Sequence, residues 1–241
     1  QRHLRAIRDG IVSTLPLIII GSIFLIIAIP PFPKDWAISI LAKKHAAQIL
    51  LPFRMTMFIM GLYAVIGIGY SLAKSYKLDG ITGAILSVCA FLLTLVPKVI
   101  NPIETITQTV GGKAVQVVVA EGTKGSQFLQ EDLGYVMQMS NLGSAGLFVG
   151  IIVAIFAVEV YRFTTKTGFR IKMPDAVPES VARSFEALTP AAIIIFTLTI
   201  ITYWLKIDLH HIVGLIVTPF LKLSDSWFSV VVIVFLITFF W

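Results

Sequence analysis

The chain has 241 residues, 57% of them hydrophobic and only 13% charged, with a mean hydropathy of +0.91. Soluble domains carry about 25% charged residues, so most of this surface cannot face water, and hydrocarbon is the solvent that tolerates it. The net charge of +6 does not mark a nucleic-acid binder, because the basic residues lie between apolar runs instead of clustering on a soluble domain.

Six apolar segments follow in chain order: Ile11–Pro30, Phe53–Ala73, Ile81–Pro97, Leu142–Arg162, Leu188–Leu205 and Trp227–Trp241. A helix needs about 20 residues to cross the hydrocarbon core. The third segment sits at the lower limit, and the sixth stops because the chain stops. Backbone polar groups in lipid must be paired within their own segment, which makes these runs helices. The first run contains Pro16 and Gly21 and is followed by others of its kind, so it reads as a span and not as a cleavable signal.

Arg2, Arg5, Arg8, Lys74, Lys77, Arg162, Lys166, Arg170, Lys172 and Arg183 fall on one side if the N-terminus is cytoplasmic. The segments of the other side are about twice as long and hold slightly fewer basic residues. The positive-inside bias therefore predicts a cytoplasmic N-terminus in a multi-pass cell-membrane protein. Trp204, Trp227 and Trp241 stand at span ends, where amphipathic rings prefer the headgroup level.

Two segments do not read as spans. Ile103–Val110 and Lys113–Ala120 are rich in β-formers and flank Gly111-Gly112, which predicts a small external hairpin. Asp208–Ser224 mixes His210, His211 and Lys222 with Ile212, Val213, Leu215, Ile216, Phe220 and Leu221. It reads as an amphipathic helix in the interface, kinked or ended by Pro219. The expected fold is an all-α polytopic membrane protein with about six spanning helices, that interfacial helix and the hairpin.

Few side chains suggest chemistry. His3, His45, His210 and His211 show no metal-site spacing with Cys, Asp or Glu. Adjacent His210 and His211 point about 100° apart on a helix and read as interfacial polar residues. Glu159, three residues before Arg162, reads as an anchoring ion pair near the inner end of the fourth span. Arg54 reads as a snorkelling anchor, and Cys89 as a packed thiol without a disulfide partner. Gly146, Gly150 and Ala154, together with Gly61, Gly67 and Gly69, mark close packing between helices or subunits. Gly67-Ile68-Gly69 is no nucleotide fingerprint, since no strand-turn-helix surrounds it. No cofactor and no metal is expected.

The most specific stretch runs from Lys172 to Pro190 and is segmented by Pro174, Pro178 and Pro190. Pro178 suits the first turn of a short amphipathic helix, Glu179 its positive end, and Val181, Phe185 and Leu188 follow at helical spacing. Met173, Pro174, Val177, Pro178, Val181, Ser184, Phe185, Leu188 and Pro190 together resemble a signature of the enzyme IIC permeases of the phosphoenolpyruvate-dependent sugar phosphotransferase system. The likeness is to the lactose/cellobiose/chitobiose family, the chitobiose permeases most of all. Residues 2–10 and 142–148 look like that family's entries to its first and fourth membrane segments.

The resemblance implies a homodimeric permease that carries a disaccharide inward while a cytoplasmic IIB protein phosphorylates it. It implies three regions: 1–207, a dimerisation domain with five spanning helices; 208–224, an amphipathic linking helix; and 225–241, the start of a substrate-transport domain. The family's catalytic His lies in a G-I-H-G-like motif, and none occurs here before Trp241. The chain is therefore expected to be an N-terminal part, and no catalytic or substrate-binding residue is assigned within it. An ion-coupled secondary transporter fits less well, because the middles of the spans hold almost no charge. A non-transporting dimeric membrane scaffold is the third reading, and the isolated chain is expected to bind no disaccharide.

Overall fold

A computed structural model of the chain describes all residues except 34, 101–104, 111, 112, 119–133, 138, 172, 173, 175–177 and 225–241. It divides into two compact units, Gln1–Thr94 with Met139–Trp241, and Leu95–Gln138.

The first unit is helical. Its elements are α1 (Arg2–Val12), α2 (Leu15–Ala28), α3 (Ala37–Lys44), α4 (Ala46–Ile49), α5 (Leu51–Met55), α6 (Met60–Ser75), α7 (Gly80–Leu93), α8 (Ser144–Thr167), α9 (Glu179–Thr199) and α10 (Leu209–Ser224). Among the described residues, four stretches are long and apolar enough to cross a membrane: Arg2–Ala28, Ala46–Ser75, Ser144–Thr167 and Ser184–Trp204. The third sequence segment forms only the 14 residues of α7. At about 1.5 Å per residue that is roughly 21 Å, short of a hydrocarbon core of about 30 Å. The segment Trp227–Trp241 lies outside the described residues.

The spans are less continuous than the hydropathy pattern suggests. Pro16 has no N–H to give to Val12, and the first span turns at Ser13-Thr14 between α1 and α2. The hydroxyls of Ser13 and Thr14 donate back to the carbonyls of Gly10 and Ile11, at 2.6 and 2.7 Å. The second span breaks at Thr56, whose hydroxyl caps the Pro52 carbonyl at 2.7 Å. The helices α3 and α4 occupy a stretch in which no element is expected from the sequence, between the prolines at 30–33 and Pro52.

Two helices, α6 and α8, form the centre. One cluster joins Leu86 and Ala90 of α7, Val149, Val153, Ala157 and Tyr161 of α8, and Ile194 and Leu198 of α9. A second joins Ala6, Leu72, Ala73 and Val158, and a third Val65, Ile68, Phe91 and Ala154. Glycine permits the closest approaches. A Cβ at Gly10 would lie 2.5 Å from the backbone nitrogen of Ile68, so α1 rests directly on α6.

The start of α7 is fixed by Asp79, whose carboxylate accepts from the Thr82 amide and hydroxyl, both at 2.8 Å. Just before it, Lys77 takes φ 62°, with the Leu78 amide reaching back to Ala73 at 3.0 Å to close α6. Pro178 is the residue before α9, and Pro190 lies inside that helix without ending it. The short amphipathic helix expected to lead into the fifth span is thus continuous with it. A proline deletes one backbone bond, and the packing of the fully buried Pro190 and Ile194 holds the helix across it. Pro219 likewise does not end α10, which runs to Ser224.

Among its described residues, the second unit contains two antiparallel strand pairs. Lys98–Ile100 (β1) pairs with Gly134–Val136 (β4), with Lys98 opposite Val136. Thr105–Val110 (β2) pairs with Lys113–Val118 (β3), with Val110 opposite Lys113. Gly111 and Gly112, the two positions between β2 and β3, lie outside the described residues.

Candidate functional site

Polar side chains gather at two places in the helical unit. The first joins the start of α1, the end of α6 and the last turns of α8. The Glu159 carboxylate accepts from Arg162 Nη1 at 3.2 Å and from the Tyr76 hydroxyl, and lies 3.0 Å from His3 Nε2. The Tyr76 hydroxyl is 3.3 Å from the same His3 nitrogen. The Arg162 guanidinium lies over the Tyr76 ring, 4.2 Å from its centroid, and that of Arg2 lies 5.8 Å away. Burial and the Glu159 hydrogen bond raise the Tyr76 pKa, so the phenol stays protonated and keeps donating.

The Glu159–Arg162 pair follows from sequence spacing. His3 and Tyr76 do not, because they stand 156 and 83 residues from Glu159. The carboxylate is about a third exposed, so each charged contact contributes modestly, on the order of 0.5–1 kcal/mol. The arrangement acts as a clasp over three helix ends.

The second place is at the opposite ends of α7 and α8, where α10 begins. Asp208 accepts from the His211 amide at 2.9 Å and starts the helix. His210 turns inward: its Nε2 is 3.1 Å from Thr94 Oγ1, and its ring centroid is 6.2 Å from that of Phe91. Leu209 and Val213 pack on the α7–α8–α9 core, while Ile212, Leu215 and Ile216 are exposed. His210 therefore faces the bundle while its neighbour His211 is exposed; the helix phase separates the two. Burial lowers the His210 pKa, only partly offset by Asp208.

The remaining candidates are dispersed. His45 is exposed and lies 3.2 Å from Gln48. Arg54 is exposed in the last turn of α5, and Cys89 is a half-buried free thiol. The small residues pack within the chain: a Cβ at Gly61 would lie 2.5 Å from the Gly143 carbonyl, and one at Gly150 would lie 2.5 Å from Val65. Among the described residues, no group of three or more His, Cys, Asp or Glu side chains is placed to hold a metal.

In the proline-rich stretch, Arg170 Nη1 donates to Glu186 at 2.6 Å and ties the loop after α8 to α9. Val181, Phe185 and Leu188 are 42%, 40% and 50% exposed, forming a stripe that this unit does not cover. Met173 and Val177 lie outside the described residues.

Residues 8–241 match the family model described as phosphotransferase system, EIIC. The cellobiose-specific EIIC component of Geobacillus stearothermophilus is 35% identical over the whole of this chain and 50% of its own length. The lichenan permease IIC component of Bacillus subtilis is 34% identical over 94% of this chain and 47% of its own length. The crystal structure of the transporter ChbC, the IIC component from the N,N'-diacetylchitobiose-specific phosphotransferase system, superimposes with a TM-score of 0.72 at 35% identity. That superposition covers 96% of this chain and 50% of ChbC. The chain thus spans about half the length of the relatives it matches. The family match over residues 8–241 agrees with the apolar helices and the proline-rich signature, and the chain belongs to the EIIC family of the phosphotransferase system.

Proposed function

We propose that this chain belongs to a membrane permease subunit that carries a disaccharide of the cellobiose or chitobiose type into the cytoplasm while the sugar is phosphorylated. The observation that carries this reading is the match over residues 8–241, joined to a fold likeness covering 96% of the chain. Phosphorylation traps the sugar, because a phosphate ester with nearly two negative charges does not recross hydrocarbon. The phosphoryl donor is a IIB protein on the cytoplasmic side. The chain works as a homodimer in a lipid bilayer, with its N-terminus cytoplasmic and a sixth span at Trp227–Trp241.

Within this reading, residues 1–207 are the dimerisation domain, 208–224 the linking helix and 225–241 the start of the transport domain. The β2–β3 pair forms a hairpin on the outer side. Catalytic and sugar-binding groups are not among these residues, and the two polar clusters serve to hold helices. The test is uptake of labelled disaccharides by cells producing the full gene product, with and without the IIB partner. Sugar phosphate should accumulate only with the partner; free sugar accumulating without it overturns the reading.

A further inference from the structure

The seat of His210 determines where its proton lies. The Thr94 hydroxyl has one hydrogen, and it is directed at the Phe91 carbonyl, 2.6 Å away. Toward His210, Thr94 Oγ1 is left as an acceptor, so Nε2 must be the N–H. That leaves Nδ1 as a bare lone pair, buried and without a hydrogen-bond partner. The opposite tautomer would bury an N–H without an acceptor, the rarer and costlier defect. The ring lies close against Gly146: a Cβ there would lie 3.2 Å from His210 Cε1.

We propose that His210 is the positioning residue that seats α10 on the helix bundle in its neutral, Nε2-protonated form, and that protonation at Nδ1 releases the helix. A proton on Nδ1 would put a charge at an atom with no acceptor. From α7 the ring meets Thr94 and Phe91, and from α8 it meets Gly146, none of which titrates. From its own segment the charged neighbours are Asp208 and Lys206, with His211 beside it, and Asp208 is already engaged on the His211 amide. No anionic group on α7 or α8 is in contact with the ring among the described residues to compensate the charge. The consequence for transport rests on the reading of α10 as the link between domains. Releasing it would loosen the joint about which the second domain moves.

The experiment uses the full gene product in nanodiscs with 15N-labelled histidine. His210 should show the Nε2–H tautomer at pH 8 and titrate below its ordinary value of about 6.5. A spin label at exposed Leu215 should gain mobility in acid in the wild type and stay unchanged in His210→Gln, which keeps a donor but cannot titrate. Thr94→Val removes the acceptor at constant shape and should yield a mixture of tautomers. An Nδ1–H tautomer at neutral pH, or titration at or above 6.5, overturns the seat. In cells, acid-side uptake of the wild type should differ from that of His210→Gln by about threefold or more, with equal uptake at pH 8. Identical pH profiles overturn the release step. Absence of uptake from both proteins instead counts against the permease reading and leaves the spectroscopic outcome to decide the seat.

Discussion

The first span and the α8 span are both long and strongly apolar, yet they do opposite things. Within the most apolar window, 17% of Arg2–Ala28 is buried inside the chain against 44% of Ser144–Thr167. On α2, Ile19, Ile23 and Ile26 are more than half exposed, whereas Val149, Val153, Ala154 and Val158 of α8 are at most 3% exposed. Leucine and isoleucine gain nothing by leaving lipid for another helix, since both surroundings are apolar. Burial is decided by shape instead: Gly146 and Gly150 leave room for the side chains of His210, Val65 and Phe91 against α8, and Ala154 and Ala157 are fully buried there.

If that contrast is right, substitutions should follow packing and not hydrophobicity. Phe91→Ala, at a fully buried ring between α6 and α8, should cost about 3–4 kcal/mol, while Phe196→Ala, at a ring 70% exposed, should cost less than about 0.5 kcal/mol. Reversible unfolding in mixed micelles would measure both, and equal losses would break the comparison. Gly61→Ala should follow at about 2–3 kcal/mol, because its new methyl meets the backbone oxygens of Gly143 and Leu142 and not a movable side chain.

Glu159→Gln should cost about 1 kcal/mol in the same assay, since the amide keeps one acceptor but loses its charge toward Arg162. A loss above about 3 kcal/mol would mean that the clasp, and not the small-residue packing, holds the bundle. Smallest and opposite in sign, Lys77→Gly should gain about 0.5 kcal/mol by relieving a left-handed backbone at φ 62°. Acid should act through His210. Its pKa is lowered in the folded chain, so its contribution is complete above the unfolded value of about 6.5 and is lost as pH falls below it. A melting temperature that stays flat from pH 8 to 5 would remove that contribution.

Much of the fold is legible in residue order because lipid enforces one rule on every segment. The runs beginning near Ile11, Phe53, Leu142 and Leu188 each overlap most of a helical stretch long enough to span. The Glu159–Arg162 pair is legible because its partners sit one turn apart. Tyr76 and His3 are not, since only the packing of α1 and α6 on α8 brings them to the same carboxylate. Prolines mislead in one direction. Pro190 and Pro219 look like boundaries, but each removes a single bond from a helix whose other backbone bonds persist. His210 is hidden for a further reason: the sequence displays two adjacent histidines but not the phase in which their helix docks.

After α9 the backbone widens into a single wide turn, Ile200–Trp204, in which the Leu205 amide reaches Ile200 at 2.9 Å. Such a turn stores one surplus residue without re-aiming the helix beyond it. Removing one residue from it should therefore tighten the coil to ordinary pitch and leave α10 docked through His210. The same deletion inside α8 would swing every later side chain by about 100°. The last turn of the fifth span is thus a place where this chain can change length by one residue and keep its downstream faces in register.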